Sequence, residues 1–263
     1  MSESGTCNRK CSFCPRSAKD FVDVKEFINT KLLEKLIKEL QTYKYSGTIR
    51  FSGFVEPLLD KNIFNLLDIC KSNLQNSNIE MVTNGDVLNL GRLKKLFKAG
   101  LNKLLISVYD GPEDVIKFEK LCNQANLTKD QYFIRHRYLP SEEDFGITLS
   151  NRAGMMENAE YKISKLNTSL KKPCYYPSYT FFLDYNGDVL MCPHDWGKKN
   201  ILGNLNNESF KNIWLSKISK NSRNRLLASN RNFSPCDVCD VKGTLIGAKH
   251  AQAWKKIEKN KEL

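Results

Sequence analysis

The chain has 263 residues, 41% of them hydrophobic and 27% charged, and its 41 Lys and Arg against 29 Asp and Glu give a formal net charge of +12. That apolar content is enough to bury a substantial core, as one large domain or as one large and one small. No apolar run at the N-terminus reads as a signal peptide, and no segment approaches the ~18 uninterrupted apolar residues of a membrane helix, so a soluble, cytoplasmic protein is expected. The positive balance can signal an anionic partner. Here, however, the lysines are spread along stretches such as KLLEKLIKEL and GRLKKLFKAG, beside acidic residues or apolar stripes. They read as a solvated surface, compatible with an anionic small substrate, and no nucleic-acid partner is expected.

In chain order, Leu32, Leu33, Leu36, Ile37 and Leu40 mark one helical face. A strand over Thr48–Ser52 follows, then a helix over Ile63–Leu74 and a strand over Ile79–Thr83 stopped by Asn84-Gly85. A helix over Leu90–Ala99 ends at Gly100, a third strand covers Leu104–Val108, a helix covers Asp114–Ala125, and a fourth strand covers Tyr132–Leu139. Strands alternating with helices imply a parallel sheet, and the α/β class expected is a partial (β/α) TIM-like barrel. Only six residues precede Cys7, so the first strand of such a barrel is expected to be short or missing. After about residue 150 the rhythm changes. Tyr179–Leu183, the turn Asn186-Gly187 and Val189–Cys192 read as a hairpin, followed by a helix near Phe210–Leu215 and a Lys-rich C-terminal helix or tail. The expected division is a barrel over residues 1–155 and a smaller β-hairpin and helix module over 156–263.

Nine cysteines in a cytosolic chain argue for metal ligation rather than disulfides. Cys7, Cys11 and Cys14 form a C-x3-C-x2-C run. Three thiolates on one loop can bind three irons of a cubane and leave the fourth open to a cofactor or substrate. A zinc knuckle is the alternative, but zinc prefers four protein ligands and C-x2-C pairs, and Phe13 would shield a cluster from water. Cys174, Cys192, Cys236 and Cys239 supply four more thiolates, which suit either structural zinc or a fully ligated iron–sulfur cluster. Cys70 and Cys122 lie on helical stretches and read as buried free thiols. Asp184 and Asp188 flank the hairpin turn and read as turn chemistry. His194 stands beside Cys192, where a structural role is the simpler reading.

The first cysteine run resembles the signature of the radical S-adenosylmethionine superfamily. The resemblance implies a 4Fe–4S cluster on Cys7, Cys11 and Cys14 that binds S-adenosylmethionine and releases a 5′-deoxyadenosyl radical for hydrogen abstraction. Glu56-Pro57 matches the end of the family's G-G-E-P stretch, Thr83-Asn84 its T-N-G stretch, and Ser107 the serine that ends the fourth barrel strand. The resemblance implies that these residues contact the cofactor; each also has a plain reading as a strand-end cap or turn. On the strand Tyr132–Leu139, one of Arg135 and Arg137 can face the pocket and hold a carboxylate, and Arg137 is the expected contact. Arg152, where the barrel hands over to the second module, is the candidate catalytic residue, as a substrate contact or base. The later four cysteines resemble the twitch form of the SPASM extension, which implies an auxiliary 4Fe–4S cluster. Segments such as FSGFVEPLLDKNI and FFLDYNGDVLMC are similar to radical SAM/SPASM proteins encoded with cell-surface polysaccharide genes, and the cysteine spacing is similar to aminocyclitol radical dehydrogenases of butirosin biosynthesis.

These resemblances imply oxidation of a small sugar-like or cyclitol substrate, with an auxiliary cluster as electron acceptor and an external one-electron reductant such as flavodoxin or ferredoxin. Two other functions are compatible with the sequence. One is a maturase of ribosomal peptides, whose usual leader-binding domain has no room before Cys7. The other is a non-catalytic zinc protein binding nucleic acid.

Overall fold

The computed structural model describes residues 1–260 except 20, 141, 144, 145, 147 and 148. Two compact units emerge, one of Met1–Arg9 with Asp23–Thr148, the other of Lys10–Val22 with Leu149–Leu263.

In the first unit, helix α1 (Thr30–Thr42) begins where the Asn29 side chain accepts a hydrogen bond from the Lys31 amide, and it buries Leu32, Leu33, Leu36, Ile37 and Leu40. Strand β1 (Thr48–Phe51) alternates exposed and buried residues, turning Ile49 and Phe51 inward. Helix α2 (Ile63–Asn73), β2 (Asn78–Thr83), α3 (Leu90–Lys98), β3 (Lys103–Val108), α4 (Pro112–Gln124) and β4 (Tyr132–His136) follow in strict alternation. Pro112 at the first position of α4, with Glu113 and Asp114 in its first turn, suits both the fixed φ and the positive end of a helix. The four strands pair in parallel in the order β1-β2-β3-β4, with Ile49 opposite Ile79, Met81 opposite Leu104 and Ile106 opposite Ile134. Helical crossovers between adjacent parallel strands make this a partial (β/α) barrel, with its functional loops at the strand C-termini. Phe51, Leu66, Ile79, Met81, Leu93 and Leu104 are fully buried between the sheet and its helices.

Among the described residues no strand precedes α1, and the N-terminal segment is held by single hydrogen bonds and an isolated bridge. The Met1 amino group donates to Arg50 O at 2.7 Å, the Ser52 amide donates to Met1 O at 3.0 Å, and the Phe54 amide donates to Ser2 Oγ. On its other side this segment pairs with residues 26–28, through Gly5 N to Glu26 O and Ile28 N to Glu3 O. Strand β4 stops at His136, short of the expected Leu139, because the chain folds into tight turns from Arg137 N to Arg135 O and from Leu139 N to His136 O.

In the second unit a helical turn α5 (Tyr176–Tyr179) precedes a three-stranded antiparallel sheet of β5 (Phe182–Leu183), β6 (Asp188–Leu190) and β7 (Ile201–Asn204). Asn186-Gly187 makes the expected hairpin turn, with Gly187 at φ 93°. Tyr179, expected in a strand, lies instead in the α5 turn that Pro177 helps to start. Helices α6 (Phe210–Trp214), α7 (Lys217–Leu227) and α8 (Ala248–Asn260) complete the unit. Neither β7 nor α7 was expected. The α7 segment KISKNSRNRLL has few apolar residues, and it is held by a Ser216 cap and by Arg223, which donates to Trp214 O and stacks on Trp214 and Trp254. Among the described residues no helix is long and apolar enough to cross a membrane.

Candidate functional site

Cys7 follows the N-terminal segment that bonds to β1, and its half-buried sulfur lies 4.0 Å from Asn84 Nδ2 at the end of β2. The next residues of the loop are clamped to the same end of the barrel. Asn84 Nδ2 donates to Asn8 Oδ1 (2.8 Å), Asn8 Nδ2 donates to Asp86, and Arg9 is gripped by Asp86 and Asp110 while lying over the Tyr109 ring. Within the second unit, a turn from Cys14 N to Cys11 O (2.9 Å) is followed by the 3-10 helix Pro15–Ser17. Burial raises the Cys14 thiol, while the charges of Arg152 and Arg16 pull the other way.

Glu56 is 2% exposed and accepts three hydrogen bonds: from Thr83 Oγ1 (2.6 Å), Asn84 N (2.7 Å) and Leu58 N (3.0 Å). Burial nevertheless holds its carboxyl above the ordinary range. Glu56 therefore caps the 3-10 helix Pro57–Leu59 and shapes the Thr83-Asn84-Gly85 turn, so four expected cofactor residues, Glu56, Pro57, Thr83 and Asn84, form one unit at adjacent strand ends. Ser107, buried at the end of β3, accepts a hydrogen bond from Arg135 Nη2 at 2.9 Å. Burial lowers Arg135 to about 10, with the Arg137 charge second, and its buried Nε has no hydrogen-bond partner. Arg137, the arginine expected to reach the cofactor, donates to Gly146 O at 2.5 Å. Alternation put Arg135 and Arg137 on one face, but the strand ends between them, and it is Arg135 that joins Ser107.

Arg152 opens a run of three left-handed residues, Arg152, Ala153 and Gly154, at φ 47°, 51° and 84°. The fully buried Asn151 holds that loop to the second C-x2-C pair. Its amide donates to Asp240 Oδ2 (2.8 Å), and its Nδ2 donates to Val238 O (2.6 Å) and Ser164 O (3.0 Å). The charge of Arg152 is felt at Cys14, at Asp240 and at His194. Asn151 is the structural anchor that residue spacing did not single out.

Cys174, Cys192, Cys236 and Cys239 line one small hollow, together with Ala153, Met191, His194 and Leu226. Desolvation comes first, and for Cys192 and Cys236 the neighbouring thiolates add to it, so the thiols rise, Cys239 to about 11 and the other two further. Four desolvated sulfurs that repel one another as thiolates are a donor set suited to a positively charged inorganic centre. Gly243, at φ 72°, packs so closely that a Cβ there would lie 2.3 Å from Cys174 Sγ. Among the described residues no three donor side chains are placed to share one metal ion. His194 donates its amide to Cys192 Sγ (3.4 Å), its Nε2 meets the Tyr176 hydroxyl, and burial drives the imidazole down to about 3. Cys70 and Cys122 are fully buried on helices and raised to about 12 and 11 by burial, as inert core thiols are.

A model of the radical SAM superfamily matches residues 1–141, and a model described as an iron-sulfur cluster-binding domain, SPASM, matches residues 174–240. The S-adenosyl-L-methionine-dependent 2-deoxy-scyllo-inosamine dehydrogenase of Niallia circulans is 29% identical over 234 residues, 89% of this chain and 87% of that protein. The fold is shared with the crystal structure of BtrN in complex with AdoMet and 2-DOIA, at a TM-score of 0.74 and 23% identity over 91% of each chain. It is shared also with native anSMEcpe with bound AdoMet, at a TM-score of 0.60 and 14% identity, over 100% of this chain and 97% of that one. The two matching models make S-adenosylmethionine and iron–sulfur the cofactor chemistry of this chain, and the protein is an enzyme of the radical SAM kind. Cys7 lies against the end of β2 in a parallel half-barrel, the superfamily model spans more than half of the sequence, and this chain belongs to the radical SAM superfamily.

Proposed function

We propose that this chain oxidises a secondary alcohol of a small cyclitol or sugar-like molecule to a ketone. The observation that carries the reading is the convergence of four cysteines on one hollow, a donor set that suits a second, electron-accepting centre. The aminocyclitol dehydrogenase similarity along most of the chain supports it. Cys7, Cys11 and Cys14 hold the first cluster, and Cys174, Cys192, Cys236 and Cys239 hold the auxiliary one. When bound, S-adenosylmethionine and the first cluster supply a 5′-deoxyadenosyl radical that takes a hydrogen atom from the carbinol carbon.

Alcohol oxidation removes two electrons and two protons' worth of hydrogen. One electron leaves with the abstracted hydrogen atom, the hydroxyl proton leaves to solvent, and the remaining electron requires an acceptor. Glu56 and Pro57 set the turn that presents Thr83 and Asn84, while Ser107 with Arg135, and Arg137 beyond them, offer hydroxyl and guanidinium donors for a carboxylate. Arg152 stays protonated, so its part is to stabilise negative charge on the substrate oxygen rather than to act as a base. An external one-electron carrier of the flavodoxin or ferredoxin type primes the first cluster, in a reducing cytoplasm where the cysteines stay thiols.

Anaerobic reconstitution followed by assay with S-adenosylmethionine and aminocyclitols tests the reading. It expects about eight irons per chain, 5′-deoxyadenosine formation and a ketone product. Cys11→Ala should abolish cleavage of S-adenosylmethionine, while Cys236→Ala should keep cleavage and lose the ketone. Colourless protein with stoichiometric zinc, or full cleavage by the Cys11 variant, would sink the proposal.

A further inference from the structure

Arg231 is 2% exposed, and it lines the same hollow as the four later cysteines. Its guanidinium donates to four backbone carbonyls: Nε to Lys172 O (2.9 Å), Nη1 to Val241 O (2.7 Å), and Nη2 to Pro173 O (2.9 Å) and Lys242 O (2.7 Å). Two of these carbonyls precede Cys174 directly, and two lie just after Cys239. All four acceptors are neutral. The carboxylate that shares the hollow, Asp195, has its oxygens taken by the Lys199 and Asn200 amides, at 2.9 and 2.8 Å. Buried charges are ordinarily paired, and a guanidinium is permanently charged. This one is therefore a fixed positive charge that its four hydrogen bonds do not neutralise, and its field is felt at Cys174, Cys236 and Cys239.

We propose that Arg231 is a positioning residue that sets the redox poise of the auxiliary centre, raising its reduction potential so that it accepts the electron left on the oxidised substrate. The inference rests on the auxiliary-cluster reading above. A centre held by four thiolates gains one unit of negative charge when it takes one electron. A buried positive charge beside it favours that more negative state, and the low polarity of the surroundings strengthens the effect. The four carbonyl bonds fix the guanidinium in place and tie together the two chain segments that carry Cys174 and Cys239. Charge and scaffold are thus separable roles of one side chain.

The experiment is an EPR-monitored redox titration of the reconstituted full-length chain, with iron content measured, for wild type, Arg231→Gln and Arg231→Lys. In Arg231→Gln, reduction of the auxiliary centre by a fixed donor should become about tenfold less favourable, a fall of ~59 mV for one electron. Lysine keeps the charge but not the carbonyl fork, so Arg231→Lys should stay near the wild-type value. The first cluster's couple should not move in either variant. An unchanged auxiliary couple in an iron-replete Arg231→Gln protein overturns the proposal. So does a lysine variant displaced as far as the glutamine one, because the effect would then come from the scaffold; if the glutamine variant fails to hold iron, the lysine variant alone decides in the same way. A wild-type protein with about four irons and a single couple marks the failure of the auxiliary-cluster reading itself, before any variant is compared.

Discussion

Arg9 and Asp86 meet through two parallel hydrogen bonds, Nε to Oδ2 at 2.7 Å and Nη2 to Oδ1 at 2.5 Å. Asp110 adds two more on the guanidinium's other side, at 2.9 and 2.6 Å. Both carboxylates belong to loops that follow strands, Asp86 after β2 and Asp110 after β3, whereas Arg9 lies two residues beyond Cys7. The hydrogen bonds it donates to Asp110 and Asp86 hold Arg9 firmly charged, and Arg9 in turn keeps the Asp110 carboxyl below its usual range. The cluster loop is thereby fastened to two barrel strands by a planar fork.

Replacing Arg9 should therefore damage the first cluster selectively. Arg9→Ala leaves two carboxylates facing one another, and S-adenosylmethionine cleavage should fall about tenfold or more, for a loss of ~1.5–3 kcal/mol of charge-assisted bonding. Arg9→Lys should recover only part, since an ammonium cannot fork to two carboxylates. EPR of the reduced protein with and without S-adenosylmethionine reads the first cluster directly. An Arg9→Ala protein with wild-type spectra and cleavage would show that the clamp is dispensable.

Glu56 is expected to matter through its neighbours. Glu56→Ala strands the Thr83 hydroxyl and the Asn84 and Leu58 amides, each a donor costing ~1–3 kcal/mol when left unpaired in the interior. Urea unfolding should register a large loss of stability, and the KM for S-adenosylmethionine should rise as the β2 turn loosens. Glu56→Gln keeps one acceptor oxygen but turns an amide N–H toward a donor, so an intermediate loss is expected. Stability unchanged in Glu56→Ala would contradict the hydrogen-bond assignment.

Glu3 predicts a pH dependence. It is fully buried, neither carboxylate oxygen has a hydrogen-bond partner, and burial raises it from 4.5 to about 8. The folded state then holds a proton that the unfolded chain releases. Its contribution is complete below pH 4.5 and is lost progressively as pH climbs to about 8. Urea midpoints should fall from pH 6 to pH 8.5 in the wild type, and Glu3→Gln should flatten that part of the profile. A wild-type midpoint that holds steady over this interval would refute the buried neutral acid.

Gly243 offers a test of the second centre without touching a ligand. Alanine there must adopt φ 72°, a strain of roughly 1–2 kcal/mol, with its Cβ against the Cys174 sulfur. Gly243→Ala should lose the auxiliary iron while keeping S-adenosylmethionine cleavage. Full iron in that variant would show that the loop yields without cost.

Much of the molecule is legible because its causes are local. The Leu32 to Leu40 stripe, the alternation of Ile49 and Phe51 and the Asn186-Gly187 turn each depend on residues a few positions apart, and each appears where the sequence places it. The polar helix α7 and the short β7 were not legible, since Arg223 stacked on two tryptophans holds the first and pairing with β6 defines the second. The choice between Arg135 and Arg137 was likewise open, because where β4 ends depends on the turns after it rather than on side-chain alternation.

By itself the sequence determined the chemistry: the C-x3-C-x2-C run and four further cysteines name ligand types and numbers, because thiolate chemistry is set by residue identity and near spacing. Only the tertiary structure decided which groups stand together. It closed Glu56 onto Thr83 and Asn84, drew Asn151 to the Cys236–Cys239 segment, and set the Arg231 charge beside four cysteines. Those partners are separated by dozens of residues, and only burial, which removes water as a competing partner, makes their hydrogen bonds and charges decisive.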